Sequence, residues 1–222
     1  MLRTSARAIA SILLAATLLS PSSIAFNSPL SDQAVREAYF LGQRRDETFA
    51  RFMDKYAKHL ALPKTGPHIA SVTFFTPFAL ATQLSSQHSS GYSAQQAALD
   101  HRAQAESVKI IVQIYLTESY GALIPRPTGS RSGSPTSFVQ RPSEFSRDFD
   151  VQVFSEDREL APFTSSGQPN YLCSEDGGCT LTGATIQLEF LAESFASDSA
   201  TIQVNPPEGD PVSVDFDLTR LR

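Results

Sequence analysis

The sequence contains no tryptophan, only two cysteines and no clustered histidines. Aromatic packing therefore depends on 15 phenylalanines and 6 tyrosines. None of the histidines stands at the spacing of a zinc site such as His-x-His or His-Glu-x-x-His. The four histidines are His59, His68, His88 and His101. We therefore expect no metal centre and no cofactor.

The motifs of common hydrolases and nucleotide-binding enzymes are also missing. The nearest approach to the nucleophile elbow Gly-x-Ser-x-Gly is the segment 129–133, which has Arg131 at its centre. Phosphate-binding patterns such as Gly-x-x-x-x-Gly-Lys do not occur. Paired carboxylates are present, but they fall on the outer faces of predicted strands, where they do not suit a glycosidase. These pairs are Asp148/Asp150, Glu156/Asp157 and Asp215/Asp217.

The first 25 residues have the pattern of an export signal. Two arginines precede an apolar run over 8–19, and Ser23 and Ala25 supply the small residues of a cleavage site. The run is shorter than the roughly 20 apolar residues that a membrane helix needs. We therefore predict that residues 1–25 are a cleaved signal peptide.

The predicted mature chain has no second long apolar stretch. We expect a periplasmic or secreted protein without a membrane span after signal cleavage. Residues 26–141 carry a net charge of +4, whereas residues 142–222 carry −11. The acidic half argues against nucleic acid as a partner, because phosphate binding requires clustered lysines and arginines.

A segment rich in proline, glycine and serine covers residues 120–137. Its composition predicts a flexible loop. Arg126 and Arg131 lie in it and form a candidate binding loop for an anionic envelope polymer. Binding by these arginines should weaken with salt, which screens exposed charges over about 8–10 Å.

The two cysteines, Cys173 and Cys179, are separated by five residues that include Asp-Gly-Gly. Such turn residues between two strand-like segments predict a hairpin. In an exported protein, the default state of the cysteine pair is a structural disulfide. Two alternatives remain open at this stage: a redox dithiol, and a calcium loop that uses Glu175 and Asp176.

Helical patterns dominate the first half of the mature chain. Ser31 or Asp32 can cap a first helix, and Asp46 can cap a second one. The apolar stripe of the second helix predicts that it extends to Leu60; the stripe consists of Phe49, Phe52, Met53, Tyr56 and Leu60. A strand is predicted over 69–76.

Two further helices and a strand follow in the predicted order. Thr76 and Pro77 can start a short helix that ends near Gln83, because proline is favoured at the first helical position. Ser93 and Gln96 form a capping box for a helix that ends near Ala105. The cleanest strand covers 107–117, where apolar residues alternate with lysine, glutamine and tyrosine.

Short alternating segments separated by turns fill the remainder of the sequence. This pattern predicts an α+β protein with N-terminal helices packed on, or inserted into, an antiparallel β-sandwich. An Ig-like architecture of about seven to nine strands is expected. We interpret residues 26–222 as one domain, with a helical part over 31–106 and a mostly β part over 107–222.

The sequence leaves three functional classes open. The first is an exported, soluble, non-catalytic protein that binds another protein or an envelope polymer. The second is an extracytoplasmic hydrolase with a dispersed site, which a pocket grouping a histidine with carboxylates would favour. The third is a small-ligand or sugar-binding module that uses the loop 120–137, which a flat or groove-like face with exposed aromatic residues would favour.

Overall fold

The computed structural model describes residues 26–88, 91–125 and 137–222. These residues form four α-helices and eleven strands in antiparallel sheets, so the fold is α+β, as predicted. The helices are α1 (Asp32–Arg44), α2 (Glu47–Asp54), α3 (Pro77–Gln87) and α4 (Ala94–Arg102). The strands are β1 (Ala57–His59), β2 (His68–Phe75), β3 (Ser107–Tyr115), β4 (Leu123–Pro125), β5 (Phe138–Gln140), β6 (Asp150–Ser155), β7 (Arg158–Leu160), β8 (Thr164–Cys173), β9 (Cys179–Leu191), β10 (Ser199–Asn205) and β11 (Val212–Asp217).

The predicted helix caps are confirmed. The Ser31 side chain accepts a hydrogen bond from the backbone of α1, and Asp46 does the same for two N–H groups of α2. Ser93 accepts from the N–H of Gln96 at the start of α4. Each oxygen satisfies an N–H group that has no partner inside its helix.

The second helix is shorter than its apolar stripe predicts. It ends at Asp54 instead of continuing to Leu60, and residues 57–59 form β1 at the edge of a sheet. The N–H of Phe74 donates to the carbonyl of Tyr56 over 2.9 Å, so pairing with β2 replaces the next helical turn. Tertiary pairing thus overrides a local helical pattern, while Tyr56 still buries its ring.

The strands form two larger sheets. One has five strands in the order β1-β2-β3-β9-β8, and the other has four in the order β11-β10-β6-β7. Their apolar faces contribute to a single core cluster. Phe74 on β2 lies 5.5 Å from Phe216 on β11 between ring centroids, so side chains of the two sheets meet inside the molecule.

The helices add a second apolar cluster beside the sheets, in which α1 packs against α3 and α4. Phe52 of α2 links the two clusters, because its ring contacts both Tyr56 and Phe78. Gly42 permits the close approach of α1 to α3. A Cβ at this position would lie 2.2 Å from the carbonyl oxygen of Thr82.

The start of the predicted loop over 120–137 contains regular structure. Tyr120 is buried, and β4 pairs with β5 as a two-stranded ribbon. Strand β4 therefore lies within the predicted loop, because the apolar residues that flank the glycine- and serine-rich stretch pair with each other. Residues 126–136 lie outside the described part of the chain, and their predicted flexibility stays a prediction.

Candidate ligand-binding surface

Uncharged polar side chains are the main component of the outer face of the five-stranded sheet. Along β3 the residues Val108, Ile110, Val112 and Ile114 are buried, which turns the alternate residues to the opposite face. Strand register places these alternate residues beside similar ones on β2, β9 and β8. We call this surface the polar sheet face; its uncharged polar members are Ser71, Thr73, Gln113, Ser166, Gln168, Asn170, Thr185 and Gln187.

Hydrogen bonds fix the centre of the polar sheet face. The Thr185 hydroxyl lies 3.1 Å from Oε1 of Gln113 and can donate to it. Asn170 Nδ2 donates to the same hydroxyl over 3.2 Å. These contacts join three strands and hold the amide groups in defined positions before any ligand arrives.

One cation and one anion lie on this face, and they pair with each other. Lys109 Nζ is 2.8 Å from Glu189 Oε1, and the two side chains are 27% and 29% exposed. They occupy directly opposed positions on β3 and β9. The pair therefore contributes hydrogen-bonding groups at one end of the face with little net charge.

An exposed aromatic ring marks the other end. Tyr115 is 45% exposed, and its ring centroid lies 6.3 Å from that of His68 on β2. His68 is itself held by a 3.1 Å contact between Nε2 and the carbonyl oxygen of Leu60. Gly183 on β9 pairs with Tyr115. A Cβ at this position would lie 2.0 Å from the carbonyl oxygen of Ile114, so the backbone of β3 leaves no room for a side chain there.

A cleft of about 420 Å³ opens where helices α3 and α4 rise above the Lys109 end of the face. This volume is in the range of sites for small ligands. The wall presents Leu80 and Leu84 of α3, Tyr92 just before α4, and His101 of α4. The floor is formed by Lys109, Ile111, Gln187 and Glu189, so the cleft continues directly into the polar sheet face.

The Tyr92 hydroxyl in the wall of the cleft stays protonated at neutral pH. Burial, with a hydrogen bond to Asp100 and the negative charge of that residue, raises the pKa of Tyr92 to about 12. Its ring stacks on His88 at 4.1 Å between centroids. Tyr92 can therefore act as a neutral hydrogen-bonding group in the cleft.

The cleft also groups a histidine with a carboxylate. His101 Nε2 lies 2.7 Å from Glu106 Oε1, and the side chains are 19% and 12% exposed. Glu106 additionally accepts hydrogen bonds from the Ser28 hydroxyl and the Leu30 N–H. The carboxylate thus fastens the N-terminal segment to the start of β3.

The ionisation of Glu106 fits this anchoring role. Burial disfavours the charged form, but the hydrogen bonds from its three donors outweigh burial and hold the pKa of Glu106 below its ordinary value. A carboxyl that acts as a general acid needs the opposite shift. Glu106 is therefore poorly suited to donate a proton at neutral pH.

The predicted disulfide is present. Cys173 and Cys179 are bonded to each other at the end of the β8–β9 hairpin, with 4.0 Å between their Cα atoms. Glu175 and Asp176 are exposed in the turn between the two strands.

The other titratable residues discussed above lie apart from one another in the part of the chain that the structure describes. Within the described residues, no three side chains of histidine, cysteine, aspartate and glutamate group as a metal ion would require. His59 pairs with the neighbouring Asp54 at 3.0 Å. Asp215 accepts a hydrogen bond from the hydroxyl of Thr201, and Asp217 accepts one from the N–H of Thr219.

The candidate binding loop cannot be placed by the structure, because Arg126 and Arg131 lie outside the described residues. The ribbon that leads to them exposes three apolar side chains, Leu123, Phe138 and Val139.

Across the described ranges, none of the helices combines the length and apolar character that crossing a membrane would take.

The chain matches no known protein family model and no curated protein. No relative therefore suggests a ligand for the polar sheet face, and its chemistry follows from its own residues alone.

The sequence analysis did not predict the polar sheet face, although the sequence contains one signal of it. The outward positions of two neighbouring strands carry Gln113, Thr185 and Gln187, where a merely solvated surface more often carries charge.

Proposed function

We propose that this chain is an exported, non-catalytic protein that binds a cell-envelope polymer on the polar sheet face. One observation carries the proposal: the hydrogen-bonded row of Gln113, Thr185 and Asn170 continues into a cleft of about 420 Å³. Small-ligand sites are usually concave and contain a few polar groups in fixed positions that orient the ligand. The exposed ring of Tyr115 adds the aromatic contact that a binding module needs.

Export is supported by two features of the chain. The first 25 residues carry the charge, apolar run and small residues of a cleaved signal. The disulfide between Cys173 and Cys179 is the kind of bond that persists in the periplasm or outside the cell. We therefore propose a periplasmic or secreted location for the mature protein.

We also propose that the two larger sheets form a β-sandwich. The contact between Phe74 and Phe216 brings one face of each larger sheet into a common core, which favours a sandwich. The Ig-like connection of its strands stays a prediction.

Sedimentation with the insoluble envelope fraction tests the proposed function. The mature protein should sediment with envelope from the cells that export it, and the Gln113→Ala variant should sediment less. Gln203 on β10 is the matched control, because it faces outward on the other sheet and is likewise half-buried. Equal loss in Gln113→Ala and Gln203→Ala, or no sedimentation of the wild type, would contradict the proposal.

A second candidate function rests on the contact between His101 and Glu106. A histidine beside a carboxylate in a cleft is the minimal arrangement of a hydrolase with a dispersed site. Esterase, glycosidase and peptidase substrates should all remain intact if the chain only binds. Turnover that disappears in His101→Ala would establish the hydrolase and overturn the proposal.

A further inference from the structure

The chemistry of the polar sheet face narrows the class of polymer. We infer that the ligand is a neutral oligosaccharide or polysaccharide, an inference that rests on the proposed function. The ligand would extend along the face from the helical cleft to Tyr115. This ligand class follows from the hydrogen-bonding groups, the charge balance, the exposed ring and the length of the face.

The hydrogen-bonding groups match a chain of hydroxyls. The face presents amide groups at Gln113, Gln168, Asn170 and Gln187, and each such group both donates and accepts. Its serine and threonine hydroxyls do the same. A sugar hydroxyl is likewise a donor and an acceptor, so it can pair with these groups in either direction.

The charge balance favours a neutral ligand over an anionic one. Lys109 and Glu189 neutralise each other at 2.8 Å, and the other polar members of the face are uncharged. An anionic polymer would therefore find no free cation among these residues. It would also meet the net charge of −11 carried by residues 142–222, which supply β8 and β9.

The aromatic end of the face suits the apolar side of a sugar ring. Tyr115 exposes 45% of its surface, and the contact between His68 and Leu60 steadies the neighbouring imidazole ring. Gly183 lies opposite Tyr115 on β9 and carries no side chain that could cover the tyrosine ring. Tyrosine supplies apolar contact and a hydroxyl in the same side chain.

The dimensions of the face fit several sugar units. Lys109 and Tyr115 are six residues apart on β3, which corresponds to about 20 Å at the usual rise of a strand. The cleft covers only the Lys109 end of this distance.

A protein ligand is disfavoured, because the centres of protein–protein interfaces are usually enriched in aromatic residues, methionine and arginine. Amides and hydroxyls dominate the polar sheet face instead.

Calorimetric titration with defined oligosaccharides tests this inference. The probes are the neutral hexaoses of cellulose, xylan, mannan and starch, and the anionic hexamer of galacturonic acid. At least one neutral hexaose should bind, with an affinity that does not change between low and physiological salt. Tyr115→Ala should weaken that binding about tenfold, as expected for the loss of an aromatic contact.

The matched control is Tyr171→Ala, which removes a tyrosine of similar exposure that pairs with Leu181, beyond the β9 positions that lie beside Gln113 and Tyr115. This variant should bind the hexaose like the wild type. Binding of the anionic hexamer alone would overturn the inference, as would sedimentation with envelope when every hexaose fails to bind. In both cases the proposed function would stand, whereas failure of sedimentation as well would remove both.

Discussion

Thr185 on β9 holds Gln113 on β3 through a contact of 3.1 Å between the hydroxyl and Oε1, although 72 residues separate the two. Asn170 binds the same hydroxyl from β8, so three strands share one polar contact. The contact leaves the amide nitrogen of Gln113 available to a ligand. The centre of the polar sheet face is therefore ordered by the fold itself.

Glu106→Gln should destabilise the protein at neutral pH. The substitution replaces a charged acceptor that holds the N-terminal segment through Ser28 and Leu30. Hydrogen bonds to a charged group contribute about 1.5–3 kcal/mol, so we expect a loss of about 2 kcal/mol in the free energy of unfolding. Denaturant unfolding at pH 7 measures this loss, and equal stability of the two proteins would contradict the anchoring role.

The pH dependence of this difference has a defined sign. Because the pKa of Glu106 is lowered on folding from its ordinary value of 4.5, its stabilising contribution is complete above that pH. The contribution is lost as the pH falls through the lower folded value. The stability difference between wild type and Glu106→Gln should therefore be largest above pH 4.5 and should shrink in stronger acid.

Gly42→Ala should destabilise the helical cluster even though alanine is the better helix former. In an exposed helix the change would stabilise by up to about 1 kcal/mol. Here the new Cβ would lie 2.2 Å from the carbonyl oxygen of Thr82, so α1 and α3 must separate. Gly121→Ala is the control, since its nearest contact would be an ordinary 3.6 Å; a melting temperature that rises in Gly42→Ala would refute the close packing.

Replacing Cys173 and Cys179 by serine should lower stability by about 2 kcal/mol, because the bond closes a short loop in the unfolded chain. Non-reducing unfolding curves of the wild type and the double variant measure the difference. Binding on the polar sheet face should persist in the double variant, since the disulfide lies at the end of the hairpin beyond β3. Loss of binding without loss of folding would place the ligand at the hairpin tip instead.

Signal cleavage should leave Phe26 as the first residue of the exported protein. The pattern of small residues at Ser23 and Ala25 sets this position. The ring of Phe26 is buried against Phe74 and Phe195. N-terminal sequencing of exported material decides the matter, and a product that begins at Met1 would refute the prediction.

Local patterns predicted the elements whose form depends on nearby residues. The alternation along 107–117 gave β3, and Ser93 with Gln96 gave the start of α4. Ile111, on the second face of β3, forms part of the cleft floor. Local signals failed where the partner was distant, as at residues 57–59, which pair with β2.

The polar sheet face could not be read from one sequence, because it depends on strand register. Thr73, Ile111 and Gln187 become neighbours only when β2, β3 and β9 align. Each of these strands by itself shows only a polar side, which is equally typical of a solvated surface. The three polar sides form one surface because strands that are distant in sequence pair in this register.

The most direct test of binding on the polar sheet face is a titration of isotope-labelled mature protein with a neutral hexaose, followed by amide chemical shifts. The shifts that change should map to β3, β9 and β8 around Gln113 and Tyr115, and to α3 and α4 at the cleft. Amides of β10 and β11 on the other sheet should not change. Changes confined to the ribbon of β4 and β5, or to the four-stranded sheet, would contradict the assignment of the ligand to this face.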